Sequence, residues 1–297
     1  MELFFSVKSN PGRKQIKALA EAGVTSLGPG IESLSGHLLR LMRKGVTVLQ
    51  NVFFLKCCLE YGIHPRWNIL MRIPGEEYED YQEMTELISK LLHLAPPFGI
   101  GKIQCHRFSP YFTESGTFTE NIRPEPWYEA LFPPEKIDLA RVAYSFKANW
   151  KNVLTEEAYQ GLTDQAQKWR KLWTANTKKP GLIIIPGSTK EKLSIPLSIP
   201  LSIPFSIPLR IQDTRTKKLK IHQLNTVESL IYDLIKNPLG LKKIIALCSK
   251  QAENLSEQEI RASLAKFIKT DLAITEKGQY LALAIDENQG GKNDLSC

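Results

Sequence analysis

The sequence predicts an α/β protein: a parallel sheet with helices packed on it, open or barrelled, followed by a smaller α+β unit. Two observations carry that expectation. Between residues 3 and 108, apolar runs of strand length alternate with segments whose apolar residues recur at helical spacing. Between residues 225 and 285, three amphipathic helical segments precede two strand-like runs joined at Glu276-Lys277-Gly278. The 297 residues suffice for one large domain or two modest ones, and 42% apolar with 24% charged residues is a globular balance.

Taken in order, residues 3–8 read as a strand, and Asn10-Pro11 as the cap and first position of a helix whose apolar face is Ile16, Leu19 and Ala20. Gly23 suits the end of that helix, and residues 24–27 form the next strand. Ser35 caps a helix bearing Leu38, Leu41 and Met42, stopped by Gly45. Thr47-x-x-Gln50 is a capping box for a helix striped by Val48, Val52, Leu55 and Leu59, ended by Gly62. Residues 67–73 are a strand, residues 77–93 a helix striped by Tyr81, Met84, Ile88 and Leu91, and residues 102–108 a fourth strand. Four strands within about 110 residues fall short of the roughly 250 residues of a complete (β/α)₈ barrel.

Residues 125–175 are rich in aromatics (Trp127, Tyr128, Phe132, Tyr144, Phe146, Trp150, Tyr159, Trp169, Trp173) and read as helical patches broken at Pro133-Pro134. These rings are expected to pack against the sheet unit rather than to form a base-stacking platform. Residues 193–208 repeat Leu-Ser-Ile-Pro, with Phe205 in place of one leucine; proline at every fourth position excludes helix and removes a sheet donor each time. Asn225 caps a helix striped by Leu230, Ile231, Leu234 and Ile235, helices follow at 239–249 and 256–268, and a hairpin closes the unit, a winged-helix-like order.

The net charge of +8 is spread along the chain, a mild bias rather than a polyanion site. No apolar run approaches the ~18 residues that span a bilayer. The start of the chain lacks the pattern of a signal peptide, and five scattered cysteines form no disulfide framework, so a cytoplasmic location is expected. His37, His64, His93, His106 and His222 show no metal-ligand spacing, and no metal-binding residue is expected. Cys57, Cys58 and Cys248 are expected as small core residues.

Three loops at the strand C-terminal ends carry distinctive strings: Gly28-Pro29-Gly30-Ile31-Glu32-Ser33, Ile73-Pro74-Gly75-Glu76 and Arg107-Phe108-Ser109-Pro110-Tyr111-Phe112. With Met42-Arg43-Lys44-Gly45, Asn51-Val52 and His93-Leu94-Ala95-Pro96-Pro97, they resemble the radical SAM family. The likeness is to the maturases of ribosomally made peptides, a group that includes cobalamin-dependent C-methyltransferases. The resemblance covers residues 2–150 and resumes weakly over 210–285. It implies a partial radical SAM (β/α) barrel followed by a small winged-helix-like α+β accessory domain. It also implies a [4Fe-4S] cluster, reductive cleavage of S-adenosyl-L-methionine, cobalamin in intact relatives, and radical modification of a precursor peptide. Carried over by position, Gly30, Glu32 and Ser33 would contact the ribose and methionine part of the cofactor. Ile73, Pro74, Gly75 and Glu76 would flank the adenine, and Arg107, Ser109 and Tyr111 would close the pocket.

Each of these has a plainer reading. Glu32 can cap the following helix, Glu76 can be a first-turn helix carboxylate, and Arg107 can pair with a surface carboxylate. The departures from the family are specific. No C-x3-C-x2-C spacing exists; Cys57 and Cys58 are adjacent on one helix; and Arg72 stands where the family usually has glycine. The family's first two barrel strands have no counterpart. A truncated product, or a split enzyme whose missing half is a separate chain, is therefore expected, with an unpaired sheet edge near residues 3–8. The alternative is a non-catalytic remnant that binds peptide or nucleic acid; Glu253, Glu257 and Glu259 dilute the basic residues and disfavour nucleic acid. The expected division is a partial barrel at 1–150, a helical connector at 151–192, a repeat linker at 193–210, a winged-helix-like unit at 211–286 and a disordered tail at 287–297.

Overall fold

A computed structural model describes residues 4–175, 178–185, 208–216, 218–251 and 255–286 of the chain. The linker expected at 193–210 falls mostly outside the described residues, and the tail at 287–297 entirely so.

The chain opens with β1 (Phe4–Val7), α1 (Arg13–Glu21), β2 (Ser26–Pro29), α2 (Gly36–Leu41) and α3 (Val48–Glu60). Then come β3 (His64–Pro65), β4 (Asn68–Met71), α4 (Tyr78–Lys90) and β5 (Gly99–Lys102). Parallel pairing runs β1–β2–β3 and β4–β5, and a parallel bridge between Glu32 and Ile69 ties the two groups together. Strands that pair in parallel need long crossovers, and α1, α2 with α3, and α4 supply them. This is the α/β class the periodicity predicts.

Local sequence explains most helix ends. Ser35 Oγ accepts from His37 N at 3.1 Å and Leu38 N at 3.2 Å, and Thr47 with Gln50 forms the expected capping box. Gly23 and Gly62 take φ of +85° and +69°, the left-handed conformation that ends α1 and α3. One boundary differs. α1 starts at Arg13, not at Pro11, because the Gln15 side chain accepts from Gly12 N at 2.7 Å and provides the cap there.

Two further expectations are corrected. The parallel strand expected at residues 102–108 is β5 at Gly99–Lys102, and Ile103 N donates to Met71 O at its end. Its single branched residue, Ile100, stands between two glycines and gives only a weak strand signal. Residues 105–150 then build a separate antiparallel sheet. Its elements are β6 (Cys105–His106), α5 (Pro110–Thr113), α6 (Ser115–Phe118), β7 (Thr119–Pro124), α7 (Trp127–Leu131), α8 (Leu139–Val142) and β8 (Ser145–Trp150), in the order β6-β8-β7. Of the aromatics expected on helical patches, Tyr128 and Phe146 form a small core here with Cys105 and Ala143, and Phe132 and Trp150 pack on it. Tyr159, Trp169 and Trp173 instead pack on the main core. Helix α9 (Gln160–Thr174) returns to the parallel sheet, and its Trp169 meets Trp67 edge to face at 6.0 Å.

The remaining elements are β9 (Leu182–Ile185), β10 (Arg210–Asp213) and β11 (Lys220–Gln223), one antiparallel sheet, then α10 (Thr226–Leu234), β12 (Leu239–Gly240), α11 (Leu241–Gln251), α12 (Glu257–Lys269), β13 (Ala273–Glu276) and β14 (Gln279–Ala282). Strands β12, β14 and β13 form an antiparallel sheet, with Lys277 and Gly278 both at positive φ in the two-residue turn. A single buried core runs from Ile16 through Trp67 and Trp169 to Ile285, so the C-terminal unit and the parallel sheet share one interior. Among the described residues no helix is long and apolar enough to cross a membrane.

Buried polar contacts cross this interior. His93 Nε2 donates to Leu283 O at 3.0 Å, and burial pushes its pKa down to about 3, keeping the ring neutral. Lys56 of α3 donates to Ala282 O at 2.7 Å. Burial lowers the Lys56 pKa to about 8, against the attraction of Glu60. A lysine with a folded value below its ordinary 10.5 destabilises the fold while charged, and that penalty fades as pH rises from about 8 to 10.5. Wild-type stability relative to Lys56→Met should therefore improve across that window, by on the order of 3 kcal/mol. Cys57 titrates with the opposite sign, its thiol pushed up to about 12 by burial, but it is common to both chains. Urea melts at both ends of the window measure the difference; a pH-independent gap would contradict it.

Candidate functional site

A cavity of about 540 Å³ runs along β4 and β5, from their first residues Asn68 and Gly99 to Ile103 and Gln104 just beyond β5. Glu32 follows β2, Met42 and Lys44 lie between α2 and α3, and Asn68 and Leu70 come from β4. The backbone from Gly99 to Gln104 forms the floor, and His106 and Tyr111 come from the antiparallel sheet unit.

Glu32 is held by its backbone. Its φ is +59°, its carbonyl accepts from Leu70 N at 2.9 Å, and it bridges to Ile69. A carboxylate-bearing residue in the left-handed region is strained unless its surroundings impose it, and such strain gathers at functional sites. Its Oε1 lies 3.8 Å from Lys44 Nζ. Burial raises the Glu32 carboxyl above its ordinary 4.5, and Lys44 offsets only part of that. A Cβ on Gly30 would lie 3.0 Å from Lys44 Nζ, and one on Gly99 3.2 Å from Asn68 Oδ1, so both glycines make room for these polar groups. A Cβ on Gly101 would meet nothing within 4 Å. Tyr111 packs edge to face on Trp150 at 5.3 Å, and burial raises its phenol.

Of the residues singled out in the sequence, Glu32 and Tyr111 line the cavity and Gly30 flanks it. The others hold the loops. Ser33 is fully buried; its Oγ accepts from Ser35 N at 3.0 Å and contacts Met84 Sδ at 3.3 Å. Glu76 is buried and accepts from Ile73 N at 2.8 Å, from Leu154 N at 3.0 Å, and from the hydroxyls of Tyr81 and Tyr159. Pro74 is buried, and Gly75, at φ +88°, donates to Asn152 O at 2.9 Å. Arg107 donates to Ala143 O at 2.6 Å and Ala140 O at 2.5 Å, with its guanidinium over the rings of Phe112 and Phe146. Ser109 Oγ donates to His106 O at 2.7 Å. Arg72, at φ +64°, pairs with Glu156 at 3.4 Å and does not line the cavity.

Sequence reasoning assigned no role to Lys44, Asn68 or the pair Gly99 and Gly101. The glycines carried a signal, since residues two apart on a strand share a face and these two leave that face bare.

The donor set fits one implied group and not the other. A nucleoside with an amino-acid tail meets an acid, a base, an amide and a bare backbone floor. An iron–sulfur cluster needs converging thiolates. Cys57 and Cys58 are buried in α3, Cys105 in the small antiparallel core and Cys248 in α11, and burial raises each of these thiols. Among the described residues no three His, Cys, Asp or Glu side chains gather as metal ligands. The cluster does not fit the described residues of this chain.

Comparison with known proteins bears on this stretch directly. Residues 2–88 match the family model of the Radical SAM superfamily, which bears out the resemblance to that superfamily. An uncharacterized methyltransferase from Pyrococcus horikoshii is 30% identical over 78 residues, 26% of this chain and 17% of that protein. The radical S-adenosylmethionine methyltransferase TsrM from Kitasatospora setae, solved with tryptophan substrate and a SAM analogue, aligns with a TM-score of 0.38 at 16% identity, over 57% of this chain and 36% of that one. Coproporphyrinogen III oxidase from Escherichia coli, described as a radical SAM enzyme, aligns with a TM-score of 0.32 at 14% identity, over 95% and 66%. The chain thus spans about a sixth of the curated relative and about a third to two thirds of these solved ones.

Proposed function

We propose that the cavity is one wall of an S-adenosylmethionine pocket in a radical SAM enzyme of methyltransferase type that modifies a peptide. The observation that carries this reading is the Glu32–Lys44 pair, within the stretch that matches the Radical SAM superfamily, in a cavity that Gly99 and Gly101 also line. The methionine end of S-adenosylmethionine carries an ammonium and a carboxylate, which Glu32 and Lys44 complement. Asn68 offers an amide to ribose hydroxyls, while Met42, Leu70, Ile100 and Ile103 offer apolar surface to a purine. When bound, the group supplies an activated methyl or, reductively cleaved, a carbon radical. Methyl transfer is supported by the description of the Pyrococcus relative, and a peptide substrate by the sequence strings alone.

On this reading, the parallel strands are a partial barrel and residues 211–286 a winged-helix-like accessory unit. Polypeptide packed on β1, beyond the described residues, would complete the pocket and bring the cluster-binding thiolates. Among the described residues β1 pairs only with β2, and it exposes Phe4 and Phe5 with no charge or proline to protect the edge. No residue of this chain is assigned to cobalamin.

Equilibrium dialysis of the full chain with S-adenosylmethionine tests the pocket. Saturable one-to-one binding is expected, weakened about tenfold in Glu32→Gln through loss of a charged contact. Because burial raises the Glu32 carboxyl and the ionised form attracts the ammonium, affinity should climb as pH rises through that group's titration. Binding that Glu32→Gln leaves untouched, or no binding at millimolar ligand, would remove the reading.

A further inference from the structure

We infer that the C-terminal hairpin latches the cavity: Glu276, docked on the first turn of α3, fixes through Asn51 the loop that presents Glu32. The inference holds whatever the cavity binds, so it can fail without the pocket assignment failing.

The chain of contacts is short. Glu276, the last residue of β13, accepts from Leu49 N at 2.9 Å through Oε2. That amide belongs to the first turn of α3, where backbone N–H groups have no partner within the helix, and the carboxylate faces the positive end of the helix dipole. Its Oε1 stands 3.2 Å from where a Cβ on Gly36 would sit, so the same carboxylate abuts the start of α2. A larger residue at Gly36 would displace it.

Two residues beyond Leu49, Asn51 is fully buried. Its Nδ2 donates to Ser33 O at 3.0 Å, and its Oδ1 accepts from Ser9 Oγ. The first turn of α3 therefore grips the loop at the residue next to Glu32. Glu32 needs an outside constraint, because its left-handed backbone is not self-sustaining. Lys56, seven positions after Leu49 and on the same helix face, binds Ala282 O at the far end of β14. The hairpin thus touches α3 at two points, and Asn51 lies between them in sequence. Asn51 is a positioning residue rather than a contact of the cavity.

Hydrogen exchange on the full chain tests the coupling. In Glu276→Ala, amides of residues 31–35 and 49–52 should exchange about tenfold faster, the size expected for losing one charge-assisted hydrogen bond. Helix α4 should be unchanged. Glu276→Gln keeps an acceptor oxygen for Leu49 N and should restore most of the protection. Acceleration at 49–52 with residues 31–35 unaffected would overturn the inference. Where Glu276→Ala does not fold, native-state exchange of the wild type in sub-denaturing urea decides instead. Residues 279–282, 49–52 and 31–35 should then open with one free energy, and a hairpin that opens first while 31–35 stay protected overturns it.

Discussion

Replacing Glu76 by alanine is expected to cost roughly 3–5 kcal/mol of stability, the range for breaking a buried charged network by removing one partner. Four donors converge on this buried carboxylate: Ile73 N, Leu154 N and the hydroxyls of Tyr81 and Tyr159. Burial pushes both phenols up, and the neighbouring Glu76 pushes them further, so neither tyrosine can lose its proton to compensate. Glu76→Gln should recover only part of the loss, because its amide group must face a donor on one side. Urea melts should show a lower midpoint with an unchanged slope. A shift below about 1 kcal/mol would show the network to be dispensable.

Arg215→Leu is the second large effect, again roughly 3–5 kcal/mol. Arg215 is buried; its Nε and Nη2 hold Asp213 at 3.0 and 2.8 Å, and its Nη1 donates to Lys90 O at 2.7 Å and Asp271 O at 2.8 Å. One side chain thus joins β10, the end of α4 and the turn after α12. Burial alone would raise the Asp213 carboxyl, but the hydrogen bonds and charge of Arg215 together hold it below its ordinary 3.8. A depressed carboxyl contributes stability above its unfolded value and loses it as pH falls through the folded one. Without Arg215, burial raises that carboxyl instead. The gap between wild type and Arg215→Leu should therefore shrink on acidification toward and below pH 3.8. Adding Asp213→Leu should return part of the loss at neutral pH. An additive double variant would mean that the pair is not coupled.

Both effects arise from contacts that a local reading of sequence does not reach. Glu76 reads as a first-turn carboxylate just ahead of α4, yet two of its donors are Leu154 and Tyr159, 78 and 83 residues away. Arg107 reads as a pocket-closing cation but spends its donors on carbonyls in the segment just before β8. The strand at 99–102 escaped because glycine gives no hydrophobic signal, and the one at 145–150 because Phe146 and Trp150, four apart, also fit a helical stripe.

The features legible along the chain were local: caps at Ser35, Thr47 and Asn225, the alternation that demands a parallel sheet, and the loop strings that resemble the superfamily. These follow from backbone hydrogen bonds and side-chain period, which act over a few residues. Packing alone settled that Glu32 meets Lys44 beside Gly30, that Glu76 ties distant segments together, and that the C-terminal hairpin rests on α3. Those outcomes depend on which buried polar groups find partners across the core. That requirement is met only when segments far apart in sequence are packed together.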